Sequence, residues 1–134
     1  MIVAVDIETY DPNLRTMGDG ACRGDGRMLC ASTYDGTVVK GYVFGTPEWQ
    51  DFVYVMEDET IDKVFHNGVY DLAWLICNCN IDVRGALHDT MTRQVYIYEY
   101  SELSLDKCCI AMGVQGKNAS DTIESWWDAN KKRL

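Results

Sequence analysis

Two short stretches carry side chains whose types and spacing suit metal-assisted chemistry. Asp6 and Glu8 stand two apart in "MIVAVDIETYD", and Asn67 and Asp71 stand four apart in "VFHNGVYDLAWL". In a β-strand, residues i and i+2 point to the same side. Asp6 and Glu8 therefore share one face, and Ile7 takes the other. Two carboxylates held together repel each other unless a positive charge lies between them. Hard oxygen donors of this kind suit Mg²⁺ or Mn²⁺. The plain structural alternative is a pair of solvated acids at a strand end. Asn67 and Asp71 come onto one helical face near its first turn once a helix begins. A strand end that runs into a helix is where an α/β sheet presents functional groups at its rim. Here too a structural alternative stands: Asn67 as the helix cap and Asp71 as an acid drawn to the helix dipole.

The elements that must position these groups follow from local pattern. Ile2 to Val5 form a continuous apolar run, so residues 2–7 read as a buried strand. Residues 11–27, with four glycines and mixed charges, read as a long loop. Two β-rich runs flank Asp35-Gly36, the signal of a hairpin with a two-residue turn. Thr46 suits an N-cap and Pro47 the first helical position. Trp49, Phe52, Val53 and Met56 then line one helix face. A short strand leads into His66-Asn67-Gly68 and a helix follows. His66 is read as framing that turn, and Asp89 as the N-cap of a further helix rather than a ligand. A short helix ends at Gly113. Strands precede and alternate with helices, which predicts an α/β or mixed α+β class. The one candidate break lies after about Lys117, where apolar density falls.

Bulk properties narrow the function. A chain of 134 residues, 47% hydrophobic and 25% charged, fits one domain with a modest core. The net charge of −9 argues against a broad basic surface for duplex nucleic acid. It leaves room for an acidic site that receives phosphates through bound cations. The six cysteines have no C-x₂-C spacing, and no secretory signal precedes them, so they are read as reduced, partly buried thiols. No window of about 18 apolar residues exists to span a membrane. The cytoplasm is the expected location. No G-x-S-x-G elbow or Cys–His signature points to a covalent nucleophile.

"VAVDIETYD" followed by "VFHNGVYDLAWL" resembles the first two exonuclease motifs of the DEDD 3′–5′ exonucleases. The resemblance is closest to the proofreading domain of family A DNA polymerases, with phage-like wording in H-N-G-x-Y-D and in the N-terminal D-x-E. "LHDTMTRQVYIY" and "LSLDKCCIAMG" resemble the helices that follow there, so the likeness covers residues 2–113. It implies an α/β, ribonuclease-H-like fold with a mixed central sheet flanked by helices. It implies two divalent cations, Mg²⁺ or Mn²⁺, with Asp6 bridging both, Glu8 on the ion that holds the attacking water, and Asp71 supporting the second. Asn67 would help position the terminal nucleotide or the acid cluster, and Thr9 and Tyr10 would lie by the terminal nucleotide. The implied reaction is removal of nucleotides from a single-stranded DNA 3′ end, since two metals about 4 Å apart serve both ends of an in-line displacement. The implied partner is a polymerase domain, in the same chain or a separate subunit, with no membrane involved, and the location is the host cytoplasm if the chain is phage-encoded.

The family's third motif, Tyr-x₃-Asp, has no match downstream of the "SLD" region. The one occurrence, Tyr54 to Asp58, falls between the first two motifs and is read as chance. Nothing around Asp121 or Asp128 marks either as a substitute, and Trp126-Trp127 is read as core or partner contact. The expectation is a single exonuclease-like domain over 1–134, incomplete at its C-terminus, with weak metal binding and low or no activity in isolation. Two alternatives remain: a stand-alone RNA 3′–5′ exonuclease of the same superfamily, and a non-catalytic exonuclease-like module.

Overall fold

Strand β1 (Ile2–Tyr10) alternates: Val3, Val5 and Ile7 point into the core while Ile2, Ala4, Asp6, Glu8 and Tyr10 point out. The computed structural model describes residues 1–99 and 102–116. The apolar run at the N-terminus, expected to be a buried strand, is thus buried on one face only. Its inward residues join one core with Trp49, Phe52 and Met56 of the first long helix and with Trp74 and Leu75. The outward face carries apolar residues too: Ile2 is 51% exposed and Val39 71%.

Among the described residues, five strands form a mixed sheet in the order β3-β2-β1-β4-β5. Strand β2 (Arg27–Tyr34) pairs antiparallel with β1 and with β3 (Val39–Val43). Strands β4 (Asp62–Phe65) and β5 (Leu87–Asp89) continue the sheet in parallel. The hairpin expected at Asp35-Gly36 is present, but Tyr34 pairs with Val39, so its loop holds Asp35 to Val38. Asp35 shapes that loop by accepting the Thr37 and Val38 backbone N–H groups at 2.9 and 2.8 Å. Short helix α1 (Leu14–Met17) interrupts the loop after β1, and α2 (Trp49–Glu57) lies between β3 and β4. Helix α2 starts two residues after Pro47, because Thr46 spends its hydroxyl on the Val43 carbonyl rather than as a cap. Its predicted face is as expected: Phe52 and Met56 are fully buried, and Phe52 packs on Trp49 and Tyr42 at ring distances of 4.8 and 5.3 Å.

Two charged side chains hold connections that no periodicity marks. Lys63, in β4, is fully buried, and its ammonium donates to the Asp58 and Arg84 carbonyls at 2.6 and 2.5 Å. Arg23 organises the β1–β2 connection by donating to the carbonyls of Met17, Gly18 and Asp19 at 3.1, 2.8 and 2.9 Å. It also pairs with Asp11, whose side chain is 2% exposed and accepts the Gly20 N–H. Gly26 completes this packing: a Cβ there would meet the Trp74 ring at 2.7 Å. The glycine-rich stretch is therefore a built loop. Arg23→Ala is expected to loosen it locally by about 2 kcal/mol, since several carbonyls lose a charged donor. Limited proteolysis should then cut between residues 14 and 25 many times faster while amide exchange in β1 stays unchanged.

The chain divides into two units, Met1–Arg93 and Gln94–Leu134, so the division falls inside α4 (Thr90–Ile97). The break expected after Lys117 lies outside the described residues. In the second unit, α5 (Leu105–Ala111) is capped by Ser104, whose side chain accepts the Lys107 N–H, and it closes at Gly113 with φ of +70°.

Candidate active site

The outward side of β1 lays Asp6 and Glu8 in a row. Asp6 lies opposite Ser32 and Glu8 opposite Cys30 on β2. The register then slips between Glu8 and Thr9, because Thr9 pairs with Met28 and Leu29 is passed over. Such a bulge raises local twist and re-aims the residues beyond it. Past it, the Thr9 hydroxyl meets the Tyr70 hydroxyl at 2.7 Å, and Tyr10 lies outward with the Arg27 guanidinium 5.4 Å over its ring. Of the three residues expected by the terminal nucleotide, two lie here: Tyr10 is presented outward and Thr9 is held by Tyr70.

Asp71 comes from the second motif. Helix α3 (Gly68–Ala73) follows β4 and runs into a π-turn, Trp74–Asn78. Asp71 sits in its first turn and is only 7% exposed. Burial, and then the negative charge of Asp6, push its carboxyl up to about 7. The backbone N–H groups of Asp71 itself and of Ile7 offset this in part, and the charge of Asp89 adds to the rise. The structure therefore brings Asp6 and Asp71 into one electrostatic site. Cys30 belongs to the same surroundings: burial, then Glu8, then Asp6 raise its thiol pKa. Counting cysteines gave no sign of that, whereas cross-strand pairing with Glu8 would have. Cys22 and Cys77, also read as partly buried, are exposed.

Asn67 departs from its expected geometry. It is left-handed, with φ of 66° and ψ of 47°, so it precedes the helix and does not share a helical face with Asp71. It stands in the N-cap position, but its side chain caps nothing. His66 frames the turn as expected, its Nδ1 lying 2.8 Å from the Thr90 hydroxyl. Asp89 caps α4 as expected by accepting the Met91 and Thr92 N–H groups. Burial works to raise the Asp89 carboxyl, but the N–H groups of Gly68, Thr92, Asn67 and Met91 outweigh it and hold it below the usual carboxylate range.

Asp58 is a turn residue. Its carboxylate accepts the Thr60 N–H and hydroxyl at 2.8 and 2.7 Å, and those bonds hold its pKa low. It lies in the field of Lys63 and of the N-terminal amino group, at the start of β1 rather than at its acidic end. The Tyr54–Asp58 match is therefore unrelated to Asp6. Asp121, Asp128, Trp126 and Trp127 lie outside the described residues.

The donor set fits a hard divalent cation in its chemistry. Asp6 and Asp71 offer carboxylate oxygens, and their mutual repulsion is what a cation between them would relieve. Among the described residues, no three His, Cys, Asp or Glu side chains converge closely enough to hold a metal ion. No helix among them is long and apolar enough to cross a membrane.

Residues 2–131 match the family model described as 3′–5′ exonuclease. Among solved structures, the chain resembles Brucella melitensis NrnC bound to pGG, with a TM-score of 0.69 and 22% identity, covering 87% of this chain and 55% of that one. It also resembles Escherichia coli RNase D, an exoribonuclease involved in structured RNA processing, with a TM-score of 0.64 and 18% identity over 90% of this chain and 30% of that one. The third is Trypanosoma brucei RNase D in complex with RNA U12, with a TM-score of 0.60 and 19% identity over 91% and 43%. The chain thus spans about half the length of these structures or less. The sheet order and these neighbours give it the ribonuclease-H-like fold. No curated protein matches the chain.

Proposed function

We propose, from the premise that this chain belongs to the 3′–5′ exonuclease family, that it removes nucleotides from the 3′ end of single-stranded DNA as the exonuclease domain of a polymerase. The observation that carries this reading is the meeting of two motifs distant in sequence. The negative charge of Asp6, on the outward face of β1, helps to raise the buried carboxyl of Asp71 in α3. Asp6, Asp71 and Glu8 would hold two divalent cations, Mg²⁺ or Mn²⁺. Such ions supply Lewis-acid activation of water and neutralise charge on the leaving oxygen.

The chain's own residues do the rest. Asp6 and Asp71 hold two carboxyls together at the β1 rim, one outward and one desolvated, so a cation between them is favoured once Asp71 gives up its proton. Glu8 continues the same face one step toward the substrate. Beyond it, Tyr10 offers an exposed ring on which a terminal base stacks, and Arg27 offers a guanidinium suited to phosphate. The Thr9–Tyr70 contact fixes the strand end against α3. Asn67, exposed at the left-handed turn, faces solvent where the terminal nucleotide would approach. The polymerase domain is supplied by the same chain or by a separate subunit, and the reaction belongs to the cytoplasm.

A second reading is a stand-alone RNA exonuclease. It is favoured by the neighbours, which are NrnC bound to pGG and an RNase D in complex with RNA U12. One experiment separates the readings. 5′-Labelled single-stranded DNA and RNA of equal sequence are incubated with the protein and Mn²⁺, with Asp6→Ala as control. A 3′-shortening ladder on DNA that is lost in Asp6→Ala supports the proposal. Faster shortening of RNA transfers it to the second reading. No ladder, together with no heat of Mn²⁺ binding in calorimetry, overturns both and leaves a non-catalytic module.

A further inference from the structure

We infer that Asp89 is the positioning residue of this site: its carboxylate sets the turn from which Asp71 reaches Asp6. The inference rests on the reading of Asp6 and Asp71 as cation ligands. Asp89 ends β5, beside Phe65 at the end of β4. Its Oδ1 accepts the N–H groups of Met91 at 2.8 Å and of Thr92 and Asn67 at 3.2 Å each. Its Oδ2 accepts the Gly68 N–H at 2.7 Å. One carboxylate thus caps α4 and also supplies α3 with the cap that the Asn67 side chain does not make. Thr90 reinforces the tie by donating to the Phe65 carbonyl at 3.1 Å while meeting His66.

The two residues held by Asp89 leave the backbone little choice. A non-glycine residue in the left-handed region is strained and persists only where its surroundings impose it. Asn67 is such a residue, and its N–H is anchored by Asp89. Gly68 packs so close to the end of β4 that no side chain fits there, because an added Cβ would lie 2.8 Å from the Phe65 Cβ. The direction in which α3 leaves β4 is therefore set at 67–68, and Asp71 sits in the first turn that follows. Both oxygens of Asp89 are engaged by backbone N–H groups, which suits a positioning role. Groups that orient metal ligands in this manner typically change affinity by about 10–100-fold when removed.

The test compares Asp89→Ala, Asp89→Asn and Lys63→Ala in the full 134-residue chain. Lys63 lies outside the site and serves as a control of lowered stability. Mn²⁺ affinity is measured by calorimetry, and amide exchange is followed at Ile7, whose N–H faces the Asp71 carboxylate. Asp89→Ala is expected to weaken Mn²⁺ binding about tenfold or more and to speed Ile7 exchange. Asp89→Asn, which keeps one oxygen acceptor, should recover part of both. Lys63→Ala should lower the melting temperature and leave both readouts as in the wild type. Wild-type affinity and Ile7 protection in Asp89→Ala overturn the inference. If the wild type takes up no Mn²⁺, the cation reading itself fails, and Ile7 exchange alone decides whether Asp89 positions Asp71.

Discussion

Asp71→Asn is expected to leave the metal-free protein more stable than the wild type at pH 8 while abolishing its response to Mn²⁺. The reason is that the Asp71 carboxyl is raised from 3.8 to about 7, first by burial and then by Asp6. A carboxyl whose folded pKa lies above its unfolded value binds its proton more tightly in the folded state. The stability it contributes is complete below the unfolded pKa and is lost as pH rises through about 7. Asparagine stays neutral throughout, so the gap in melting temperature between variant and wild type should open as pH rises from about 4 to about 7 and stay constant above that. The same proton must leave before a cation binds, so wild-type Mn²⁺ affinity should fall about tenfold per unit as pH drops below 7. Nuclease activity in Asp71→Asn should fall about 10³-fold, because a bound ion is worth several kcal/mol in the transition state. Thermal melts across pH 5–9, with and without Mn²⁺, check the whole set. A variant less stable than the wild type at every pH would overturn the assignment of Asp71 as a strained ligand.

Lys63→Ala should produce the largest loss of stability with the least effect on the site. The ammonium is fully buried and is held by the Asp58 and Arg84 carbonyls. Removing it takes the charged donor from both carbonyls and empties the space of its stem. The expected cost is about 3 kcal/mol, or roughly 10 °C in melting temperature for a domain of this size. Lys63 lies near the start of β1, where the neighbouring Asp62 N–H donates to the Met1 carbonyl. The acids lie toward the other end of that strand. Denaturant melts should therefore shift strongly while Mn²⁺ affinity, measured where the variant is folded, stays unchanged. An unshifted melt would show that the two carbonyls find other partners.

Much of the fold was legible because it rests on short-range pattern. The spacing of Trp49, Phe52 and Met56 specified the buried face of α2, since residues three and four apart meet on a helix. Asp35-Gly36 marked the hairpin but not its length, because the Asp35 side chain closes a longer loop than the dipeptide alone suggests. The first strand reads from its apolar run as buried, yet only one of its faces is. Composition shows that residues are apolar, not whether a second layer covers them, and here Ile2 and Ala4 lie open.

The sequence by itself determined that Asp6 and Glu8 share a face, that Asp71 opens a helix and that Asp89 caps one. Each follows from the fixed geometry of a single element. Only the tertiary structure decided that Asp71 lies in the field of Asp6, that one carboxylate caps both α3 and α4, and that Lys63 is buried and Cys30 sits beside the acids. Those facts depend on which strands become neighbours and on what excludes water above them. Parallel pairing of β1 with β4 joins segments that no local periodicity relates. The shift of Asp71 arises only once packing has removed its solvent and brought a like charge near.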